Sequence, residues 1–174
     1  GYRVATGGLQ ELVGVVPDLA VFSKGMANGF PIAAVVGRKR VMQVWERCSI
    51  SSTFGGEAAS IAAAIACIGI HRREHVTQAL AAQGRWFREQ AEAAGRESGV
   101  ELHTVGFDSL PVFELPGDDS GRLALELHRT LLDEGAMPYF PMWYLSYSHT
   151  RSVMAETVAI LQRSLRRVVE GRSA

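Results

Sequence analysis

Of eighteen basic residues only two are lysines, Lys24 and Lys39, and the other sixteen are arginine. A lysine amine loses its charge when desolvated and can then attack a carbonyl to form an imine, whereas a guanidinium stays protonated. Lys24 has the surroundings for that chemistry. It closes the apolar run Leu19 to Ser23 and stands between Ser23 and Gly25, neighbours small enough to let a flat ring approach. Desolvation by strand neighbours would lower its pKa, suiting it first to imine formation and then to carrying the proton of a 1,3-shift. The same position is compatible with a plain surface lysine, so local chemistry alone leaves both readings open.

A second feature is Ser51-Ser52-Thr53-Phe54-Gly55-Gly56, just ahead of an alanine-rich segment. The N–H groups at a helix start have no intrahelical acceptor, and hydroxyls with glycines let an anion sit close, so this loop could hold a phosphate. A Ser or Thr cap on the helix is the plainer reading of the same residues. His71, His75, His103 and His128 are scattered without ligand spacing, so no metal is assigned, and Cys48 and Cys67 read as free thiols.

These residues need elements to position them. Leu19–Ser23 and Ile32–Gly37 read as two strands joined by a Gly-rich functional loop, followed by a short surface helix over Arg38–Glu46. The segment Ala58–Ile70 is apolar all round, which predicts a central, enclosed helix. At 13 residues it is too short to cross a membrane. A long Ala/Glu/Arg helix then runs to about Gly99. Strands are expected at Glu101–Val105 and Leu110–Leu115, and a helix over Arg122–Glu134 is stopped by Gly135. A last strand at Trp143–Ser148 precedes a terminal helix capped by Thr150, with Met154, Val158, Leu161, Leu165 and Val168 in one stripe. The texture changes after Ile70, where His71-Arg72-Arg73-Glu74-His75 opens a polar stretch, and a boundary there divides the chain into 1–73 and 74–174. Eighteen acidic residues balance the basic ones with no charged block, which leaves nucleic acid and membrane surfaces without an electrostatic footprint.

Taken in order, Val16-Pro17-Asp18-Leu19, Ser23-Lys24-Gly25, Asn28-Gly29-Phe30-Pro31-Ile32, Gly37-Arg38 and Ser52-Thr53-Phe54-Gly55-Gly56 resemble the class III aminotransferases. Ser146-Tyr147-Ser148-His149-Thr150 is similar to the S-x-S-H-T segment of the glutamate-1-semialdehyde aminomutases and their relatives. The resemblance implies an α/β fold, fold type I of the pyridoxal 5'-phosphate (PLP) transferases, with part of the large domain over 1–73 and the small C-terminal domain over 74–174. It implies Lys24 as the Schiff-base lysine and Thr53 as the residue reaching the cofactor phosphate of a neighbouring subunit, hence a homodimer. Gly55 and Gly56 match the backbone turn, and His149 has a structural role. A small-molecule amino donor, a carbonyl acceptor and a cytoplasmic location follow. Departures are Ala27-Asn28-Gly29 in place of a glycine triplet and Glu57 where many members have asparagine, which leave the substrate subclass open. Gly1-Tyr2-Arg3 resembles the T-G-F-R that follows the family's aspartate-bearing segment, so the expectation is a C-terminal portion of a longer enzyme, with little activity alone. A non-catalytic module for binding or dimerisation is the alternative.

Overall fold

The Gly-rich loop after Ser23 folds the chain back on itself, so that β1 (Leu19–Phe22) and β2 (Ala34–Gly37) pair antiparallel, with Leu19 opposite Gly37 and Phe22 opposite Ala34. This computed structural model describes residues 1–50 and 52–172. They form two compact units, Gly1–Thr77 and Gln78–Ala174.

In the first unit a five-residue helix, α1 (Leu9–Val13), is ended by Gly14 in the left-handed conformation at φ 68. The open end of the β1–β2 pair is tied by charge. The Asp18 carboxylate accepts from Arg38 Nε at 3.0 Å and from Arg40 Nη2 at 2.9 Å, while the Arg38 N–H donates to the Asp18 carbonyl at 3.0 Å. Gly37 makes this closure possible, because a Cβ there would lie 2.4 Å from the Asp18 carbonyl oxygen. The expected surface helix is present as α2 (Lys39–Met42) running into a 3₁₀ turn, Gln43–Arg47.

Helix α3 (Ala58–Arg73) sits where the apolar segment predicted it, but it is not enclosed. Ser60 and Ala64 are buried, Ala64 in a small cluster with Met26 and Ala27, whereas Ile65 is 68% exposed and Ile61 and Ile70 are exposed as well. A helix apolar on every side needs neighbours on every side, and the described residues cover only the face toward the loop that follows β1.

In the second unit α4 (Val76–Glu97) precedes a hairpin of β3 (His103–Phe107) and β4 (Leu110–Glu114), paired His103 to Glu114 through Phe107 to Leu110. Helix α5 (Arg122–Asp133) takes its first N–H groups onto the Asp118 carboxylate, Leu123 at 3.1 Å and Ala124 at 2.8 Å, and Gly135 at φ 92 follows its end. Helix α6 (Arg151–Arg172) buries Met154, Leu161, Leu165 and Val168 of the expected stripe while Val158 is half-buried, and Thr150 Oγ1 accepts the Val153 N–H at 3.3 Å. Phe87, Phe113 and Trp143 pack ring to ring in the same unit, with Trp143 centred 5.0 Å from Phe113.

The strand expected at Trp143–Ser148 does not form. The pairing lies earlier, where the Phe113 N–H donates to Pro141, the Trp143 N–H donates to Pro111, and Met142 bridges Val112. Within the expected strand Ser146 and Ser148 bond to each other, a local pairing that competes with a ladder.

Arg88 joins α4 to the hairpin, donating to Asp108 Oδ1 at 2.8 Å, Thr104 Oγ1 at 3.0 Å and the Thr104 carbonyl at 2.8 Å. The approach is close because Gly84 has no side chain: a Cβ there would lie 1.8 Å from the Asp108 carbonyl oxygen. Gly84→Ala is therefore expected to cost about 1–3 kcal/mol through overpacking. Urea unfolding checks this, with a lowered midpoint at unchanged slope as the expected result.

Candidate active site

Lys24 opens a 3₁₀ turn, Lys24–Met26, directly after β1, and its backbone lies in the left-handed region at φ 50. Few side chains adopt that conformation without compensation, and here the loop supplies it. The Met26 N–H donates to the Ser23 carbonyl at 3.1 Å, and the Ala27 and Asn28 N–H groups donate to the Lys24 carbonyl at 3.2 and 3.1 Å. The Ser23 hydroxyl crosses the loop to the Ile32 carbonyl at 2.8 Å, so the small residue before the lysine is a clasp as well as a source of space. Below the turn, Met26 and Ala27 bury against Ala64 of α3.

Lys24 lines a cleft of about 430 Å³ with Tyr2, Arg3, Gly7, Gly8 and Phe22. Gly8 at φ 80 keeps one wall open, since a Cβ there would lie 3.2 Å from Phe22 Cε1. Tyr2 makes edge contacts with Phe22 at 6.1 Å and with His71 at 5.5 Å between ring centroids. Burial pushes the Tyr2 hydroxyl above its usual pKa against a smaller opposing pull from Arg72, and desolvation pushes His71 below its own. The desolvation expected of Lys24 is not found: the residue is exposed, because its strand neighbours Val21 and Ser23 are exposed too.

Thr53 lies in the exposed loop before α3 and does not line the Lys24 cleft. Ser51 falls outside the described residues. Neither a hydroxyl cap nor an open anion site heads the helix. Glu57 caps it, its carboxylate accepting the Ala59 and Ser60 N–H groups at 2.7 Å each. Ser60 lowers the Glu57 pKa most, its hydroxyl facing the carboxylate outside strict hydrogen-bond geometry and its N–H donating directly, and the Ala59 N–H adds to the effect. The anion the helix start attracts is thus the chain's own. Gly56 at φ 91 gives the turn its bend just before Glu57. His149 is held structurally, with Nδ1 accepting the Ser146 N–H at 3.3 Å.

The description Aminotransferase class-III matches residues 5–136. The chain belongs to the class-III aminotransferase family. It is 37% identical over 173 residues to the 3-aminobutyryl-CoA aminotransferase of Cloacimonas acidaminovorans, which covers 97% of the chain and 42% of that protein. It is 27% identical over 188 residues to a glutamate-1-semialdehyde 2,1-aminomutase of Thermomicrobium roseum, again spanning 44% of the relative. The PLP-bearing FumI protein of Sphingopyxis sp. MTA144 superposes over the whole chain with a TM-score of 0.91 at 27% identity, 42% of that structure being matched. The fold is therefore that of the PLP-dependent transaminases, and the chain spans less than half the length of the relatives it matches.

Two site features were not read from the sequence. The Asp18 to Arg38 pair was present only as matched letters, and Glu57 was noted only as a departure, because glutamate is not among the preferred cap residues. Both acidic effects at α3 have the same sign. The lowered Glu57 pKa contributes stability above the usual glutamate range, and this is lost as pH falls through its folded value. His71, kept neutral by burial, loses stability as pH drops below the usual histidine range. Protection of the Ala59 and Ser60 amides, taken relative to the intrinsic exchange rate at each pH, is expected to fall in two acid steps, and Glu57→Gln should abolish the lower step while leaving the upper one.

Proposed function

We propose that this chain is the lysine-bearing portion of a PLP-dependent class-III aminotransferase or 1,2-aminomutase, with Lys24 as the attachment point of the cofactor. In this reading residues 1–73 are the C-terminal part of the large domain and 74–174 the small domain. The observation that carries it is the clasped, left-handed Lys24 turn at a cleft walled by glycine and aromatic residues. That cleft fits a flat ring: Gly7, Gly8 and Gly25 give it room, Tyr2 and Phe22 give it apolar walls, and the Lys24 amine supplies the nucleophile.

PLP, when bound, supplies the electron sink for amino-group exchange. The chain supplies position and proton handling. Ser23 and the Lys24 carbonyl fix the turn, so that Nζ leaves the end of β1 on a defined path. With the cofactor bound, Nζ would serve as the carrier of the 1,3-shift, taking the proton from the substrate carbon and delivering it to the other end of the shift. Thr53 Oγ1 would donate to the cofactor phosphate, and its place outside the Lys24 cleft supports service to a neighbouring subunit's site, hence a homodimer. With Glu57 holding the Ala59 and Ser60 N–H groups, the phosphate contact falls to the Thr53–Gly56 turn.

The substrates in this reading are a small-molecule amino donor and a carbonyl acceptor, in the cytoplasm. None of the described helices is long and apolar enough to cross a membrane. Transaminase and aminomutase share the first half-reaction, and these residues serve either. A second reading, a non-catalytic binding or dimerisation module, draws on the exposed isoleucines of α3.

Visible absorbance of the polypeptide carrying this sequence, after PLP addition, tests the proposal. A Lys24→Ala variant should lose the protein-dependent band and lower amino transfer by about 10²–10⁴-fold, while Lys39→Ala leaves both intact. Thr53→Ala should keep the band and weaken PLP retention roughly tenfold, the loss of one hydrogen bond to a charged group. A band that survives in Lys24→Ala favours the module reading.

A further inference from the structure

Tyr2, far from Lys24 in the sequence, packs against the chain on both sides of it. It stands on a turn of its own, in which the Val4 and Ala5 N–H groups donate to the Gly1 carbonyl at 3.0 and 3.2 Å and Ala5 is buried. From there its ring meets Phe22, two residues before the lysine, edge-on at 6.1 Å between centroids. Gly25, the residue after the lysine, faces it as well: a Cβ there would lie 3.4 Å from Tyr2 Cβ and 3.8 Å from Cγ. The same ring meets His71 of α3 at 5.5 Å and packs on the cluster of Met26, Ala27 and Ala64.

The lysine turn has use for such a support. At φ 50 Lys24 holds a backbone conformation that persists only where the surroundings over-determine it. The hydrogen bonds of the loop run between residues 23 and 32, so they shape the turn from within. Lys24 itself is exposed, and packing of its own side chain contributes little. Tyr2 acts on the turn from outside, and it lines the same cleft as the lysine. A turn held in this way presents Nζ in one arrangement instead of several, and a nucleophile so oriented forms its bond faster.

We infer that Tyr2 is a positioning residue for Lys24, its ring holding the left-handed turn so that the amine is presented to the cleft. The inference rests on Lys24 being the point of cofactor attachment. The contacts that carry it are made by the ring, with Phe22, Gly25 and His71, so the role belongs to the aromatic ring and not to the phenol hydroxyl.

The test compares Tyr2→Phe, Tyr2→Leu and Tyr2→Ala with the unaltered polypeptide by two readouts, one of which needs no cofactor. The first is amide protection at Ala27 and Asn28, whose N–H groups close the turn on the Lys24 carbonyl, with Phe113 and Trp143 of the second unit as internal references. The second is the rate at which the Lys24-dependent absorbance band grows after PLP addition. Tyr2→Ala is expected to lower both about tenfold, the scale of an aromatic contact, with the reference amides unmoved. Tyr2→Phe should recover both, and Tyr2→Leu should not. Unchanged protection or an unchanged rate in Tyr2→Ala overturns the inference while leaving attachment at Lys24 intact. A band that persists in Lys24→Ala overturns the attachment reading, and the inference falls with it. Should Tyr2→Ala lose protection at the reference amides too, the other two variants decide: a slower band in Tyr2→Leu than in Tyr2→Phe supports the role, and equal rates overturn it.

Discussion

The hydrogen bond from the Ser23 hydroxyl to the Ile32 carbonyl closes the segment that carries Lys24, and much of the first unit is arranged around that closure. With the loop clasped, β1 and β2 meet in register, and the register brings Gly37 opposite Leu19. That pairing is tolerated only by a residue without a Cβ, and it delivers Arg38 to Asp18. The ion pair is exposed and contributes little energy by itself. Its value is geometric, since it fixes the end of the hairpin opposite the lysine turn. The turn itself then rests on the small cluster of Met26, Ala27 and Ala64, which ties it to α3.

The second unit is organised differently. Its hairpin is attached to α4 by Arg88, which bonds Thr104, Gly106 and Asp108, and by Arg85, which also pairs with Asp108, while Glu92 accepts the Thr104 N–H beside them. Gly84 permits the approach that makes those bonds short. Packing of Phe87, Leu127, Leu131, Leu161 and Leu165 fills the interior behind it, and loss of any one of these large side chains would cost about 2–5 kcal/mol.

The lysine loop was legible because it is written in residue types that punctuate structure: apolar run, small residues, Asn-Gly, Phe-Pro. The stripe of α6 and the stop at Gly135 were legible for the same kind of reason, a 3.6-residue period and a left-handed glycine. Relations between distant residues were not. Asp18 meets Arg38 only through strand register, and Glu57 displaces the expected hydroxyl cap because its longer side chain reaches two N–H groups at once. The enclosure of α3 failed for another reason. Apolarity states that a surface favours cover, but the described residues leave Ile61, Ile65 and Ile70 exposed.

Attachment of the cofactor at Lys24 is the central claim, and two lysines in the sequence make it unusually easy to examine. The direct measurement is borohydride reduction of the PLP-treated polypeptide followed by peptide mapping. The account predicts a pyridoxyl label on Lys24 with Lys39 essentially unlabelled. A label on Lys39, or one shared evenly between the two, would contradict it.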